Sequence, residues 1–230
     1  MKNNNIITDV FFDLDHTLWD FDKNSELAFG TILKKNHPTI EMKDFIEKYL
    51  PINQECWRLY QNDKISHEEL RYNRLKHTFD ALNYNVSDVL IDEMAEEYIQ
   101  LLPESNHLFD GAIEILEYLK DKYRLHIITN GFAEVQTKKI NNSKIATYFQ
   151  TITNSEKAGV KKPNPIIFEY ALNSANSKRE NSIMIGDCLE ADIQGALNAG
   201  IDAIFFNDKK IQAPQNIKQI NYLLELKKYL

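Results

Sequence analysis

Four aspartates fall at two points of the sequence where carboxylates could do chemistry. Asp13 and Asp15 directly follow an apolar run, and Asp187 and Asp192 follow another. Side chains two residues apart on extended backbone point in roughly the same direction. Crowded carboxylates repel one another unless a cation lies among them. Oxygen ligation by few protein groups favours Mg²⁺, which keeps several waters and prefers a phosphate as partner.

Lys162 is the candidate cation for an anionic ligand. It precedes Pro163, just before a helix that Pro165 can start at its first turn. A lone surface lysine is normally solvated. An acidic site that holds a phosphoryl dianion nevertheless needs a fixed cation, and this lysine stands near a predicted helix N-terminus, where anions bind.

Short apolar runs that stop at polar residues predict buried parallel strands at Ile6–Phe12, Arg124–Ile128, Ser182–Ile185 and Ala203–Phe206. Helical patterns are predicted at Ala112–Leu119 behind the N-cap Asp110, at Pro165–Leu172, and at Leu189–Ala199 closed by Gly200. This alternation predicts an α/β fold with an open parallel sheet. Ligands bind beyond the carboxyl ends of such strands. The polar residues that follow three of the strands should therefore converge on one crevice.

The spacing of these strand ends predicts an inserted domain. Asp13 and Thr129 are 116 residues apart, whereas a strand–helix–strand unit needs only about 30 residues. The intervening sequence is helical in pattern, and Ser66 with Glu69 forms a capping box. We expect an α/β core domain of residues 1–19 and 106–230, with a helical domain of residues 20–105.

Composition excludes several classes of protein. The 230 residues include 27 Lys and Arg against 34 Asp and Glu, a net charge of −7, which argues against nucleic acid or an anionic membrane as partner. Cys56 and Cys188 lie far apart, so neither a disulfide framework nor a structural zinc site is indicated. The N-terminal apolar stretch is too short for a membrane span. We expect a cytoplasmic protein.

The motifs resemble the four signatures of the haloacid dehalogenase superfamily of phosphohydrolases, over essentially the whole chain. The resemblance implies a Rossmann-like core, and the insertion is similar to the helical cap of the C1 class. It implies that Asp13 is the nucleophile and Asp15 the general acid and base of a DxDxT motif. It also implies that Mg²⁺ is held by the Asp13 carboxylate, the Asp15 backbone carbonyl and Asp187, while Asp192 orients metal waters or Lys162.

The same resemblance assigns the phosphate-binding groups. They are the Thr129 hydroxyl, the backbone N–H of Asn130 and the Lys162 ammonium, which would bind the equatorial oxygens of the phosphoryl group. Asp13 would attack phosphorus to give an aspartyl phosphate, which water then hydrolyses.

The substrate is indicated by a narrower resemblance. The stretches Phe12–Asp22 and Gly159–Asn164 are similar to house-cleaning pyrimidine 5′-nucleotidases, which implies a nucleoside monophosphate or another small phosphate monoester. The chain would act as a monomer or homodimer. Candidate residues for contacts with the leaving group are Trp19, Phe21, Trp57 and Arg58. Burial in the core is the more common role of such aromatic residues, and a surface ion pair is the more common role of such an arginine.

Three other functions remain as alternatives. A sugar phosphatase or phosphoglucomutase-like enzyme would keep all four motifs. A phosphoacceptor or metal-dependent binding module would not turn over, although Asp15 argues against it because a stable acyl phosphate needs no base beside it. A dinucleotide-binding oxidoreductase is disfavoured because no GxGxxG follows the first strand.

Overall fold

The computed structural model describes residues 6–37 and 39–230, which form two compact units. Met1–Asp20 and His107–Leu230 make up an α/β unit, and Phe21–Asn106 makes up a helical unit. The strands are β1 (Asp9–Phe12), β2 (Arg124–Thr129), β3 (Phe149–Asn154), β4 (Ser182–Gly186), β5 (Asp202–Phe206) and β6 (Lys218–Ile220). The helices are α1 (Phe21–Asn36), α2 (Met42–Gln61), α3 (His67–Ala81), α4 (Asp88–Leu101), α5 (Ala112–Lys120), α6 (Ala133–Asn142), α7 (Ser155–Ala158), α8 (Pro165–Ser174) and α9 (Gly195–Asn198).

The sheet confirms the predicted open parallel α/β architecture. Its strand order is β3-β2-β1-β4-β5-β6, and all neighbours pair in parallel. In the register, Phe12 of β1 lies beside Ile127 on one side and Ile185 on the other. The chain runs outward through β2 and β3 and then crosses to the opposite side of β1. The crevice at the carboxyl ends of β1 and β4 is therefore the topological switch point, where ligands bind in such folds.

Two strands were not predicted. Strand β3 has only two apolar residues, Phe149 and Ile152, and β6 is a three-residue strand with one buried side chain. Neither shows the continuous apolar run that marks a strand buried on both faces.

Three predicted boundaries are wrong. The first strand begins at Asp9, and Ile6 is largely exposed. The N-cap of α5 is Gly111, because the chain turns there at a φ of 81°, a conformation that favours glycine over Asp110. The helix predicted over Leu189–Ala199 is a π-helical turn at Leu189–Gln194 followed by α9.

One side of the sheet packs against α8, α9 and the π-helical turn. Phe11, Met184 and Phe205 of the strands meet Phe168 and Ile193 there, and all five are almost completely buried. This packing fixes α8 and the π-helical turn against the strands whose ends carry the polar motifs.

The helical unit has an aromatic core. Phe29 stacks on Tyr98 with ring centroids 4.4 Å apart and meets Phe45 and Tyr49 at 4.8 and 4.5 Å. Ser66 and Glu69 form the predicted capping box of α3. Across residues 6–37 and 39–230, none of the helices combines the length and apolarity needed to cross a bilayer.

Candidate active site

Three polar strand ends meet at the switch point. Asp13 comes directly after β1, Thr129 is the last residue of β2, and Asp187 comes directly after β4. The Asp13 N–H donates to the Ile185 carbonyl at 2.9 Å, which continues the sheet pairing one residue past the strand. The backbone thereby holds the Asp13 carboxylate at the rim, where it is 7% exposed.

Lys162 is the charged centre of this rim. Its Nζ donates to Asp13 Oδ1 at 2.6 Å, to Asp192 Oδ1 at 2.6 Å and to the Ile128 carbonyl at 2.8 Å. The side chain is 2% exposed, so these interactions operate in a weakly screened environment. Burial alone would lower the pKa of Lys162, but attraction to the two carboxylates outweighs it and raises the pKa. Lys162 is therefore held as a fixed cation.

Negative charge exceeds positive charge around Lys162. Carboxylate oxygens of Asp13, Asp187 and Asp192 lie within 4.8 Å of one another. Burial, with repulsion from Asp192 and Asp15, raises the pKa of Asp13 to about 7 against the opposing pull of Lys162. Burial and the neighbouring Asp192 and Asp13 raise the pKa of Asp187 well above its usual range. A further cation would relieve this repulsion.

The donor set fits a hard divalent cation. The three clustered side chains offer only carboxylate oxygens, which Mg²⁺ prefers over softer ligands. Asp187 also accepts a hydrogen bond from the Thr17 hydroxyl at 3.3 Å, as is typical of carboxylates that support a metal. The acidic cluster is thus suited to hold a divalent metal. Asp15 does not belong to it through its side chain.

The Asp15 carboxylate instead contacts α6. Its Oδ1 accepts from Lys139 Nζ at 2.6 Å, and its Oδ2 accepts from Gln136 Nε2 at 2.9 Å. Gln136 Nε2 also donates to Thr129 Oγ1 at 2.7 Å. Neither Gln136 nor Lys139 belongs to the motifs that were evident in the sequence. The sequence feature that could have indicated them is their spacing. Two polar residues three apart lie on one face of a helix, and this helix directly follows the motif at Thr129.

Asn130 has a contact that the motif did not predict. Its side-chain Oδ1 accepts from the Lys162 backbone N–H at 2.8 Å, and its Nδ2 donates to the Lys162 carbonyl at 2.9 Å. This pair of hydrogen bonds fixes the backbone from which the Lys162 ammonium reaches Asp13.

Two glycines allow the close approach of these side chains. A Cβ at Gly131 would lie 2.3 Å from Gln136 Nε2, and a Cβ at Gly186 would lie 2.3 Å from Asp192 Oδ2. No real Cβ tolerates such contacts, so any larger residue would displace the polar group. Both glycines are consequently part of the site although they carry no chemistry.

The four candidate leaving-group residues have different surroundings. Trp19 belongs to the α/β unit and is fully buried, with Lys139 Nζ 4.2 Å from its ring centroid. Phe21 begins α1 and is 4% exposed. In α2, Trp57 packs edge-on against Tyr60, and exposed Arg58 forms a 2.7 Å ion pair with Glu55.

The chain is similar to known proteins over most of its length. The haloacid dehalogenase-like hydrolase family matches residues 10–206. The chain belongs to this family. It is 32% identical to the pyrimidine 5′-nucleotidase PynA of Streptococcus pneumoniae over 205 residues, which cover 88% of this chain and 85% of PynA. It is also 32% identical to a glyceraldehyde 3-phosphate phosphatase of Methanothermobacter thermautotrophicus over 219 residues, 93% and 92% of the two chains.

A solved structure extends this relationship to three dimensions. The crystal structure of the hydrolase YfnB from Bacillus subtilis, bound to magnesium, aligns with a TM-score of 0.89 and 28% identity, covering 98% of this chain and 99% of YfnB. The predicted superfamily is therefore confirmed, and the protein is a hydrolase.

Proposed function

We propose that the protein is a Mg²⁺-dependent phosphomonoesterase that acts through an aspartyl phosphate on Asp13. The observation that carries this proposal is the cluster of the Asp13, Asp187 and Asp192 carboxylates, in which Asp13 and Asp192 accept from the buried Lys162 ammonium. The cluster combines a nucleophile with a fixed cation and has the ligands for a divalent metal. These are the groups that transfer of a phosphoryl dianion to a carboxylate requires.

Asp13 would attack phosphorus in line, forming the bond from its carboxylate oxygen to phosphorus as the ester oxygen leaves. Lys162 would bind an equatorial phosphoryl oxygen together with the Thr129 hydroxyl and the Asn130 N–H. Removing one such donor typically costs about 10²–10³ in rate. The metal ion would be held by Asp13, Asp187 and the Asp15 carbonyl, with Asp192 directed toward Lys162. When bound, it would offset the repulsion between the phosphoryl dianion and Asp13.

Asp15 would serve both proton transfers. It would protonate the ester oxygen as the P–O bond breaks, and then remove a proton from the water that hydrolyses the aspartyl phosphate. This second role favours an enzyme over a phosphoacceptor that stores its acyl phosphate.

We propose a pyrimidine nucleoside monophosphate as substrate. The nucleotidase PynA, similar over most of the chain, supports this assignment. The helical unit, Phe21–Asn106, would act as the cap that selects the leaving group, with Trp57 and Arg58 as candidate contacts. A sugar phosphatase is the second candidate, because the glyceraldehyde 3-phosphate phosphatase has the same 32% sequence identity to this chain as PynA has.

A phosphate-release screen tests both levels of the proposal. With Mg²⁺, we expect UMP, dUMP or dTMP to be hydrolysed faster than hexose phosphates, and EDTA or Asp13→Asn to abolish release. Asp15→Asn should also lose turnover. Hexose phosphates that match or exceed every nucleotide would remove the nucleotidase assignment. Release that stops at one equivalent per protein would indicate a phosphoacceptor.

A further inference from the structure

We propose that Gln136 and Lys139 of α6 are positioning residues, which hold the Asp15 carboxylate in the orientation needed for proton transfer to the leaving-group oxygen. The inference rests on the proposed function, in which Asp15 is the general acid and base. It adds two residues outside the four sequence motifs.

The contacts use both oxygens of the carboxylate. Lys139 Nζ lies 2.6 Å from Asp15 Oδ1, and Gln136 Nε2 lies 2.9 Å from Asp15 Oδ2. A carboxylate held at both oxygens cannot rotate about its terminal torsion without breaking a hydrogen bond. The two donors come from one helix, so α6 sets the plane of the group.

Burial separates this arrangement from an incidental surface ion pair. Lys139 and Gln136 are 2% and 1% exposed, whereas Asp15 retains 21% exposure of its side chain. Burying an unpaired ammonium is strongly unfavourable. The Lys139 ammonium is stabilised by Asp15 and by the face of the Trp19 ring, whose centroid lies 4.2 Å from Nζ. The buried donors thus point toward a carboxylate that remains accessible.

Gln136 also ties Asp15 to the phosphate-binding side of the site. The same Nε2 donates to Thr129 Oγ1 at 2.7 Å. The group that would protonate the ester oxygen is therefore fixed relative to the hydroxyl that would bind the phosphoryl group. A misplacement of about 1 Å can cost about 10²-fold in rate, so this link matters for the proton transfer.

The proton balance does not involve the positioning residues. The Asp15 proton moves to the ester oxygen as the P–O bond breaks and the Asp13–phosphorus bond forms. Asp15 then takes a proton from water as that water attacks the phosphoryl group. Lys139 and Gln136 keep their protons throughout.

The leaving group provides the test. Expulsion of a nucleoside alkoxide needs a proton, whereas p-nitrophenolate leaves without one, and kcat/KM reports the first step for both esters. We expect Lys139→Met to lower kcat/KM for UMP by about 10²-fold and to change it for p-nitrophenyl phosphate by less than about 3-fold. Gln136→Met removes the amide at similar volume and also the hydrogen bond to the Thr129 hydroxyl, so it should lower kcat/KM for both esters but by a larger factor for UMP. The matched control is Lys138→Met, since Lys138 is half-exposed and pairs with Glu134.

A purely structural role would lower kcat/KM equally for both esters and would overturn the proposal, as would unchanged hydrolysis of UMP. Lys139→Arg keeps a buried cation and should restore most of the UMP activity. If Lys139→Met fails to fold, Gln136→Met carries the same comparison without loss of charge. Failure of the proposed function is distinguishable, because the unmodified protein would then hydrolyse neither ester, or Asp15→Asn would lack the leaving-group contrast.

Discussion

Strand β1 carries a buried aspartate at each end, and the two ends are balanced differently. Asp9 begins the strand, where its carboxylate meets Arg124 Nη2 at 2.8 Å, His126 Nε2 at 3.0 Å and the Thr8 hydroxyl at 2.7 Å. Asp13 follows the strand and shares the Lys162 ammonium with Asp192.

The difference lies in the balance of charge. At the amino end, one carboxylate is neutralised by the protein's own guanidinium and polar groups. At the carboxyl end, within the part of the chain that the structure describes, three carboxylates cluster and two of them share the ammonium of Lys162. A carboxylate paired within the protein stabilises the fold, whereas a cluster with excess negative charge is suited to bind a cation. Proteins place such unbalanced groups at functional sites.

The largest expected effect separates the two aspartates. Asp13→Asn should lower kcat by about 10⁴-fold or more, as expected for a nucleophile, with little change in the free energy of unfolding because it removes a repelled charge. Asp9→Asn should leave kcat nearly unchanged but cost about 1–3 kcal/mol of stability, since it weakens the hydrogen bonds of a buried carboxylate to the partly exposed Arg124 and to His126. Phosphate release and urea denaturation measure the two quantities. Loss of activity without loss of stability in Asp9→Asn would contradict the comparison.

Metal removal tests the carboxylate cluster at the carboxyl end of β1. Mg²⁺ at about 100 times its Kd should raise the free energy of unfolding by about 2.7 kcal/mol over the value in EDTA. Asp187→Asn should abolish that gain, because it removes a proposed ligand. The control is Asp202→Asn, an exposed carboxylate paired with Lys218. A gain that survives in Asp187→Asn would place the metal elsewhere.

A methyl group added at Gly186 should disturb the cluster at the carboxyl end of β1. Gly186→Ala would drive a Cβ into Asp192 and so displace the partner of Lys162. We expect kcat/KM to fall by about 10-fold, which corresponds to about 1.4 kcal/mol of transition-state stabilisation. Gly30→Ala is the matched change, because its Cβ would meet only Met42 Cε at 3.8 Å. Equal activities of the two variants would show that Asp192 can move without consequence.

The smallest expected effect is a pH dependence of stability that arises from His126, beside Asp9 at the amino end of β1. Burial lowers the pKa of His126 despite the nearby Asp9, so the folded protein favours the neutral ring. Below about pH 6.5 the unfolded chain binds a proton that the folded chain binds less readily, so stability should fall as the pH drops from 7 to 5.5. His126→Gln should remove that part of the pH dependence. His77→Gln, on an exposed position of α3, should keep it, and identical pH profiles of the two variants would refute the assignment.

The sequence predicted the elements whose burial is uniform. Strands β1, β2, β4 and β5 are buried along nearly their whole length. The polar residues at the ends of β1, β2 and β4 led directly to Asp13, Thr129 and Asp187. Strands β3 and β6 were missed because most of their side chains are exposed or only partly buried.

The site was predictable only where residue type and position coincide. Carboxylates at strand ends and a lysine before a helix point to phosphate chemistry, and the resemblance assigned their roles. Lys139 and Gln136 were missed because a polar residue in a helix is normally solvated. Only the fold shows that α6 turns these two side chains inward. The spatial role of Gly131, which leaves room for Gln136, is equally invisible before the side chains are placed.

Asn130 and Lys162 are 32 positions apart, but the side-chain amide of Asn130 bonds both the N–H and the carbonyl of Lys162. The residue that follows β2 and the turn before α8 are therefore held at a fixed distance from each other. Grafting the lysine motif alone into another scaffold would leave its ammonium without a fixed origin, whereas transplanting both segments together would carry the geometry with them.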